Sequence, residues 1–135
     1  MNIVLVDQDS ATRARLKRRL GKIRGIAVIG EASESEEAAA MIVNRKPDLV
    51  ILEAELRNGS GIDVLRHLKQ LLLRPTVIVV TNQASQELRS ACADAGADFF
   101  FDKSLEDRKV VDTVRLLSVP GPEPDLPGAV QSLPT

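Results

Sequence analysis

The sequence PDLVILEAELRNGSG occupies residues 47–61 and contains an apolar run that ends in an acid. The run Leu49–Leu52 has the length and the uninterrupted apolar character of a strand that is buried on both faces. Glu53 follows the run directly, and Gly59 and Gly61 mark a loop that leads into a helix. We therefore predict a buried strand that carries an acidic side chain at its C-terminal end.

Similar strand-like runs recur along the chain, with helical segments between them. Strict alternation of strands and helices predicts an α/β fold: a single doubly wound, five-stranded parallel sheet with right-handed crossovers and five helices. The predicted strands are Ile3–Val6, Ala27–Gly30, Leu49–Leu52, Val77–Val80 and Asp98–Phe101. Helix start signals precede four of the helices: Asp9 or Ser10, Ser33 with Glu36 as a capping box, Ser85, and Ser104.

Length and composition limit the classes of protein that fit this chain. The 135 residues suffice for one domain, and a net charge of −1 gives no general attraction to nucleic acid or anionic membrane. No apolar run approaches the ~20 residues that span a bilayer. One cysteine, Cys92, cannot form an internal disulfide, which favours a reducing compartment. We expect a cytoplasmic domain without nucleic-acid or membrane partners.

The last part of the chain has a different composition. Residues 118–135 contain five of the seven prolines and little apolar material that could be buried. Such segments do not build a packed core. We therefore predict a folded domain over residues 1–117 and a Pro-rich, disordered tail over residues 118–135.

Four polar residues come just beyond the C-terminal ends of predicted strands: Asp7, Glu53, Thr81 and Lys103. Ligands of open α/β sheets bind at the carboxyl ends of the strands, near the point where the strand order reverses. A strand order of 2-1-3-4-5 would place strands 1, 3, 4 and 5 side by side. The four side chains are therefore expected to converge on one site.

This pattern resembles the receiver domain of bacterial response regulators over nearly all of residues 1–117. The resemblance implies a flavodoxin-like fold with the strand order 2-1-3-4-5, and a role in two-component signal transduction. It also implies that Asp7 is an acid of a Mg²⁺ site and that Glu53 stands where the family has its phosphoacceptor aspartate. Thr81 and Lys103 would contact the phosphoryl oxygens.

Further residues match the family pattern in part. The backbone carbonyl of Glu55 corresponds to the main-chain metal ligand, and Phe100 to the aromatic residue that moves inward on phosphorylation. Filling of the core is the alternative role of Phe100. Gln8 stands where the family has a second acid, so the resemblance implies Mg²⁺ binding that is weakened at this position. Asp9 could substitute as a ligand, although a helix N-cap is the role that its position favours.

Glutamate in place of the family's aspartate at position 53 affects phosphoryl transfer. Phosphoryl transfer depends on positioning, and a displacement of ~1 Å costs on the order of 10²-fold in rate. We expect little acylphosphate at Glu53, whose carboxylate would instead meet Lys103 in a charge-assisted hydrogen bond. His67 is expected at the surface rather than in phosphotransfer, and Cys92 in the core.

The sequence thus predicts an atypical, stand-alone receiver that is not phosphorylated at Glu53 and acts through protein–protein interaction. The partners implied are a histidine kinase, a phosphotransfer domain or an output protein. They would bind through helix 1 or through the surface from about Ser85 to Leu117. The sequence leaves open whether the chain also forms a homodimer. The alternative is an ordinary single-domain response regulator whose acceptor carries a natural or phosphomimetic Asp-to-Glu change. An enzyme of flavodoxin-like fold lacks sequence support, because no Gly-rich phosphate loop or nucleophile elbow is present.

Overall fold

The computed structural model describes residues 1–119, 128 and 130, and it contains one parallel sheet flanked by helices on both faces. The strands are β1 (Asn2–Val6), β2 (Ala27–Ala32), β3 (Leu49–Glu53), β4 (Thr76–Thr81) and β5 (Phe99–Asp102). The helices are α1 (Ser10–Leu20), α2 (Ser35–Arg45), α3 (Gly61–Leu68), α4 (Gln86–Asp94) and α5 (Asp107–Leu117). The strand order is β2-β1-β3-β4-β5, which confirms the predicted fold.

Side chains alternate across the sheet and build two separate cores. Ile3 and Leu5 of β1 belong to the core under α1 and α5, whereas Val4 and Val6 belong to the core under α2, α3 and α4. The same alternation separates Phe100 from its two neighbours in β5. Because both faces are covered, the strands read as continuous apolar runs. This is why the sequence predicted their positions to within one or two residues.

The loop between β3 and α3 approaches the end of β3 closely. Ser60 caps α3 in a reciprocal arrangement with Asp63, in which each side chain accepts a hydrogen bond from the other residue's backbone N–H. A Cβ atom at Gly61 would lie 2.6 Å from the backbone oxygen of Glu53. Only glycine therefore fits at this position, and the loop packs directly against the acid-bearing end of the strand.

Two predicted helix starts are wrong. The N-cap of α2 is Glu34 rather than Ser33, and its side chain makes no cap hydrogen bond. The Ser33 backbone N–H donates instead to the Glu37 carboxylate at 3.0 Å. Ser104 does not cap α5, because that helix begins three residues later and the side chain of Ser104 is used elsewhere. The predicted caps Asp9 and Ser85 are confirmed, as each accepts a hydrogen bond from the first turn of its helix.

Most of the predicted disordered tail lies outside the described residues, so its disorder stays a prediction. Helix α5 ends at Leu117, and Gly128 and Val130 are described beside β5. Within the described part of the chain, no helix is both long and apolar enough to cross a membrane.

Candidate functional site

The C-terminal ends of four neighbouring strands carry the predicted polar residues. Asp7 follows β1 and Lys103 follows β5, as predicted. Strands β3 and β4 each end one residue later than predicted, so Glu53 and Thr81 are their last residues rather than the first residues after them. The strands β1, β3, β4 and β5 are neighbours in this order and are parallel. The four residues therefore lie side by side at the C-terminal ends of the strands.

Lys103 joins the two acids of the site. Its Nζ atom donates a hydrogen bond to Asp7 Oδ2 at 2.7 Å and another to Glu53 Oε1 at 2.5 Å. The three side chains are largely buried, with exposed fractions of 13% for Lys103, 6% for Asp7 and 7% for Glu53. Two carboxylates thus share one ammonium, which leaves the trio with one net negative charge.

Backbone N–H groups bind the other oxygen of each carboxylate. Asp7 Oδ1 accepts from the Asp9 N–H at 2.9 Å, and Glu53 Oε2 accepts from the Glu55 N–H at 3.1 Å. Every oxygen of the two carboxylates therefore has a donor. Each carboxylate is thus fixed in position by one ammonium donor and one backbone donor.

The electrostatics of Lys103 follow from burial and from its two partners. Burial by itself lowers the pKa of Lys103 and is the largest single influence on it. The hydrogen bonds to Asp7 and Glu53, together with their charges, outweigh this effect and raise the pKa above its ordinary value. The ammonium is accordingly a fixed positive charge between the acids.

Among the contacts described, the Thr81 side chain makes no hydrogen bond to the side chains of this trio. Its side chain is fully buried, and its Oγ1 accepts a hydrogen bond from the Gln83 N–H at 3.1 Å. Its backbone oxygen accepts from the Lys103 N–H at 2.9 Å, which ties the loop after β5 to the end of β4. In this structure the residue therefore positions Lys103 through the backbone.

The loop that presents Lys103 contains a contact that the sequence analysis missed. Asp102 Oδ1 accepts from the Ser104 N–H and the Ser104 hydroxyl, both at 2.9 Å, and from the Leu105 N–H at 3.1 Å. The Leu105 N–H, followed by the Ser104 hydroxyl, lowers the pKa of the Asp102 carboxyl. An Asp followed two residues later by Ser is a turn signal that could have predicted this loop.

Arg13 is a second residue that the sequence analysis did not assign to the site. Its guanidinium donates to the backbone oxygen of Asp7 and forms an ion pair with Glu31 at 3.1 Å. The hydrogen bond from Arg13 to Asp7 therefore holds helix α1 against the C-terminal end of β1. Asp9 caps this helix, and the hydroxyl of Thr12 and the N–H of Ala11 lower the pKa of the Asp9 carboxyl.

Phe100 lies in the core beneath α2, α3 and α4, with an exposed fraction of 3%. The guanidinium of Arg89 in α4 lies 5.9 Å from the centre of its ring. The inward position suits both roles considered for Phe100, core filling and switching. Its part in a switch stays a prediction.

The residues of the site fit Mg²⁺ poorly. Magnesium favours octahedral oxygen ligands, commonly including one or two carboxylates. Asp7 and Glu53 supply two carboxylates, but one oxygen of each already binds the Lys103 ammonium, and Gln8 offers an exposed amide instead of a carboxylate. The role of the Glu55 backbone carbonyl as a ligand stays a prediction. Among the described residues no cluster of three His, Cys, Asp or Glu side chains could hold a metal ion. A cation would have to displace the lysine.

Comparisons of sequence place this chain among known signalling proteins. The family model "Response regulator receiver domain" matches residues 3–115. The response regulator UvrY of Escherichia coli K12 is 28% identical over 115 residues, which cover 85% of this chain and 53% of UvrY. The phosphate regulon transcriptional regulatory protein PhoB of Pseudomonas aeruginosa is 31% identical over 111 residues, covering 81% and 48%. The chain thus spans about half the length of these relatives.

Solved structures give the same result. A LuxR-family two-component response regulator from Aurantimonas sp. SI85-9A1 has a TM-score of 0.80 and 25% identity, over 87% of this chain and 84% of that one. The CheX-CheY-BeF3-Mg+2 complex from Borrelia burgdorferi gives a TM-score of 0.79 with 25% identity, over 89% and 90%. With the family match over residues 3–115, these results show that the chain belongs to the response regulator receiver domains of bacterial two-component signal transduction.

Proposed function

We propose that this receiver domain works without phosphorylation at Glu53 and signals by binding another protein. The observation that carries the proposal is the pair of hydrogen bonds from Lys103 to Asp7 and Glu53. A lysine that already donates a hydrogen bond to each acid has only one N–H left for an incoming phosphoryl group. The same contact counters Mg²⁺ binding, which phosphoryl transfer to this family's acceptor needs.

The geometry of Glu53 supports the same conclusion. From the resemblance of the sequence to this family, we take Glu53 to stand at the acceptor position, where it has one methylene more than aspartate. A displacement of ~1 Å costs on the order of 10²-fold in rate when a reaction depends on alignment. The carboxylate is also anchored on both oxygens, by Lys103 and by the Glu55 N–H. For in-line attack on a phosphorus atom, the Glu53 carboxylate would have to break at least one of these hydrogen bonds.

Incubation with acetyl phosphate and Mg²⁺, followed by intact mass spectrometry, tests the proposal. We expect no phosphoryl adduct on the wild-type chain, a partial adduct on Glu53→Asp, and a larger one on Gln8→Asp/Glu53→Asp. Glu55→Asp is the matched control, because it shortens an exposed acid two residues away and should give no adduct. A stoichiometric adduct mapped to Glu53 in the wild-type chain would refute the proposal.

A second candidate is an ordinary single-domain response regulator in which Glu53 imitates the phosphorylated state. The observation that favours it is the 2.5 Å hydrogen bond between Glu53 and Lys103, which puts negative charge where a phosphoryl group would contact the lysine. A carboxylate is an incomplete substitute, since a phosphoryl group brings ~2 charges and three acceptor oxygens. Glu53→Gln would separate the candidates: amide shifts that extend to Phe100 and α4 indicate a switch, whereas shifts limited to the site support an inert pocket.

The surface formed by α4, β5 and α5 is our proposed partner-binding face, with α1 as the alternative. Leu105 and Leu116 support this choice, because they are 84% and 47% exposed beside or on α5. Exposed apolar surface can mark a protein-interaction site when it forms a contiguous patch. We further propose that the partner is a kinase, phosphotransfer or output protein, or a second copy of this chain. We also propose that the domain acts in the cytoplasm and that it is not an enzyme. Cross-linking with Leu105→Asp as the variant tests the face.

A further inference from the structure

Strand β5 is an edge strand of the sheet, and several backbone groups along its outer side are already bonded. The Phe100 N–H donates to the Gly128 backbone oxygen at 3.0 Å, and the Val130 N–H donates to the Asp98 backbone oxygen at 3.0 Å. Farther along the edge, the Asp102 N–H donates to the Glu106 carboxylate at 3.0 Å. Open edges of this kind tend to pair with other chains, and most proteins cover them.

The two hydrogen bonds have the pattern of an antiparallel pair. The chain direction from Asp98 to Phe100 is opposite to the direction from Gly128 to Val130, since Asp98 pairs with Val130 and Phe100 with Gly128. One donor comes from each segment, and the two bonds enclose the residue between Asp98 and Phe100, as they do around a non-hydrogen-bonded pair of antiparallel strands. The contact has the two hydrogen bonds of a short antiparallel pairing, with Gly128 itself in a turn. Peptides that add to a sheet edge use the same kind of backbone bond for affinity and side-chain pockets for specificity.

Gly128 fits a position that no other residue could occupy without displacement. Its φ angle is +82°, a conformation that residues with a Cβ rarely adopt. A Cβ atom would lie 2.4 Å from one ring carbon of Phe101 and 2.5 Å from another. The Phe101 ring cannot move aside easily, because it is fully buried and stacks parallel to Phe99 with a centroid distance of 6.5 Å.

Val130 supplies an apolar contact two residues later. It is partly buried and packs against the core beneath α2, α3 and α4, the core that also contains Phe100. Gly128 and Val130 thus contact opposite faces of β5. Gly128 lies against Phe101 on one face, and Val130 packs against the core that contains Phe100 on the other. Such a two-sided fit gives sequence selectivity that backbone hydrogen bonds alone would lack.

We propose that the outer edge of β5 is a binding site for an extended peptide with glycine followed two positions later by an aliphatic residue. The intramolecular ligand of this site is the chain's own tail, through Gly128 and Val130. A partner that uses β5 must either displace these residues or bind on top of them. This proposal does not depend on whether Glu53 can be phosphorylated.

Hydrogen exchange of the Phe100 amide in the full-length chain, followed by NMR, tests the proposal. Gly128→Val should accelerate this exchange by roughly 10-fold or more, because the N–H loses its acceptor, while the amide of Ile51 in central β3 keeps its rate. Gly25→Val is the matched control. Gly25 also has a positive φ, of +85°, but no atom lies within 4 Å of its added Cβ, so the Phe100 rate should stay unchanged.

A peptide added to the Gly128→Val chain then tests recognition. The peptide LPGAVQS, which has the sequence of residues 126–132, should restore protection of Phe100 at millimolar concentration, and the peptide LPVAVQS should not. Equal Phe100 exchange in the wild-type and Gly128→Val chains would overturn the proposal, as would equal effects of the two peptides. If Gly128→Val also accelerated Ile51 exchange, Val130→Asp would replace it, with the same expected and contradicting results.

Discussion

Removal of the Lys103 ammonium is the sharpest test of how the site is held together. In Lys103→Met, the carboxylates of Asp7 and Glu53 stay buried but lose the hydrogen bonds of 2.7 and 2.5 Å that they share. Breaking a buried ion pair by removing one partner costs about 3–5 kcal/mol. Because Lys103 keeps 13% of its side chain exposed, we expect the lower end, about 3 kcal/mol. At ~2.1 cal/mol/K per residue, this loss corresponds to a Tm lower by about 12 °C.

The assay is urea and thermal unfolding followed by circular dichroism, with Lys109→Met as the matched control. Lys109 pairs with Glu106 at 3.2 Å, but 55% of its side chain is exposed, so its removal should cost less than about 0.5 kcal/mol. The double variant Glu53→Gln/Lys103→Met should recover about 1–2 kcal/mol, because only one buried charge is then left unpaired.

Acidification gives an independent check on the same cause. The deficit of Lys103→Met should shrink as the pH is lowered, since protonation of a carboxylate removes the negative charge that has lost its partner. The reasoning is refuted if Lys103→Met unfolds with a free energy within about 0.5 kcal/mol of wild type, or if its deficit does not change with pH.

The remaining predictions concern other consequences of the same structure. Mg²⁺ should raise the Tm of Lys103→Met more than that of the wild-type chain, because the metal no longer competes with an ammonium; equal rises would contradict this. The pKa of Lys103 is raised on folding, so its contribution to stability is complete below the ordinary lysine value of 10.5 and is lost as the pH rises through the folded value. Unfolding free energies of wild type and Lys103→Met should therefore converge in alkaline urea titrations, and a constant difference would count against the ion pair. Burial raises the pKa of the Cys92 thiol to about 11, so an aromatic disulfide reagent should react slowly until urea opens the domain; native reactivity equal to that of free cysteine would contradict the burial. Gly61→Ala should lower the free energy of unfolding by about 1–3 kcal/mol, because its Cβ would meet the Glu53 backbone oxygen at 2.6 Å. Gly21→Ala, whose nearest contact would be 3.2 Å, should be close to neutral, and equal losses in both variants would contradict the close approach.

The strands could be predicted because most of them are buried on both faces, as the burial of all five residues of β3 illustrates, whereas the strand order followed from the resemblance to the receiver family. Leu49 to Leu52 has no polar residue, and the polar residue that ends each run marks the edge where the site lies. The sequence also predicted a hydrogen bond between Glu53 and Lys103, which the structure contains. These features depend on apolar patterning and on the shared direction of parallel strands.

Local polar contacts could not be predicted in the same way. Ser33 and Ser104 have the pattern of helix caps, but their strongest partners are Glu37 and Asp102. The share of Lys103 that Asp7 takes was also missed, because it depends on how far the β5–α5 loop brings the ammonium toward β1. Short polar side chains have several partners within reach, and only the packed structure selects among them.

The span of the Lys103 contacts along the chain has a consequence for how the domain folds. They join residues 96 and 50 positions apart, so they cannot form until β1, β3 and β5 have been assembled into one sheet. Contacts of such sequence separation carry a large loop-closure cost and belong to the late part of folding. The ion pairs should therefore be absent from the transition state, so that Lys103 controls how long the native sheet persists rather than how fast it assembles.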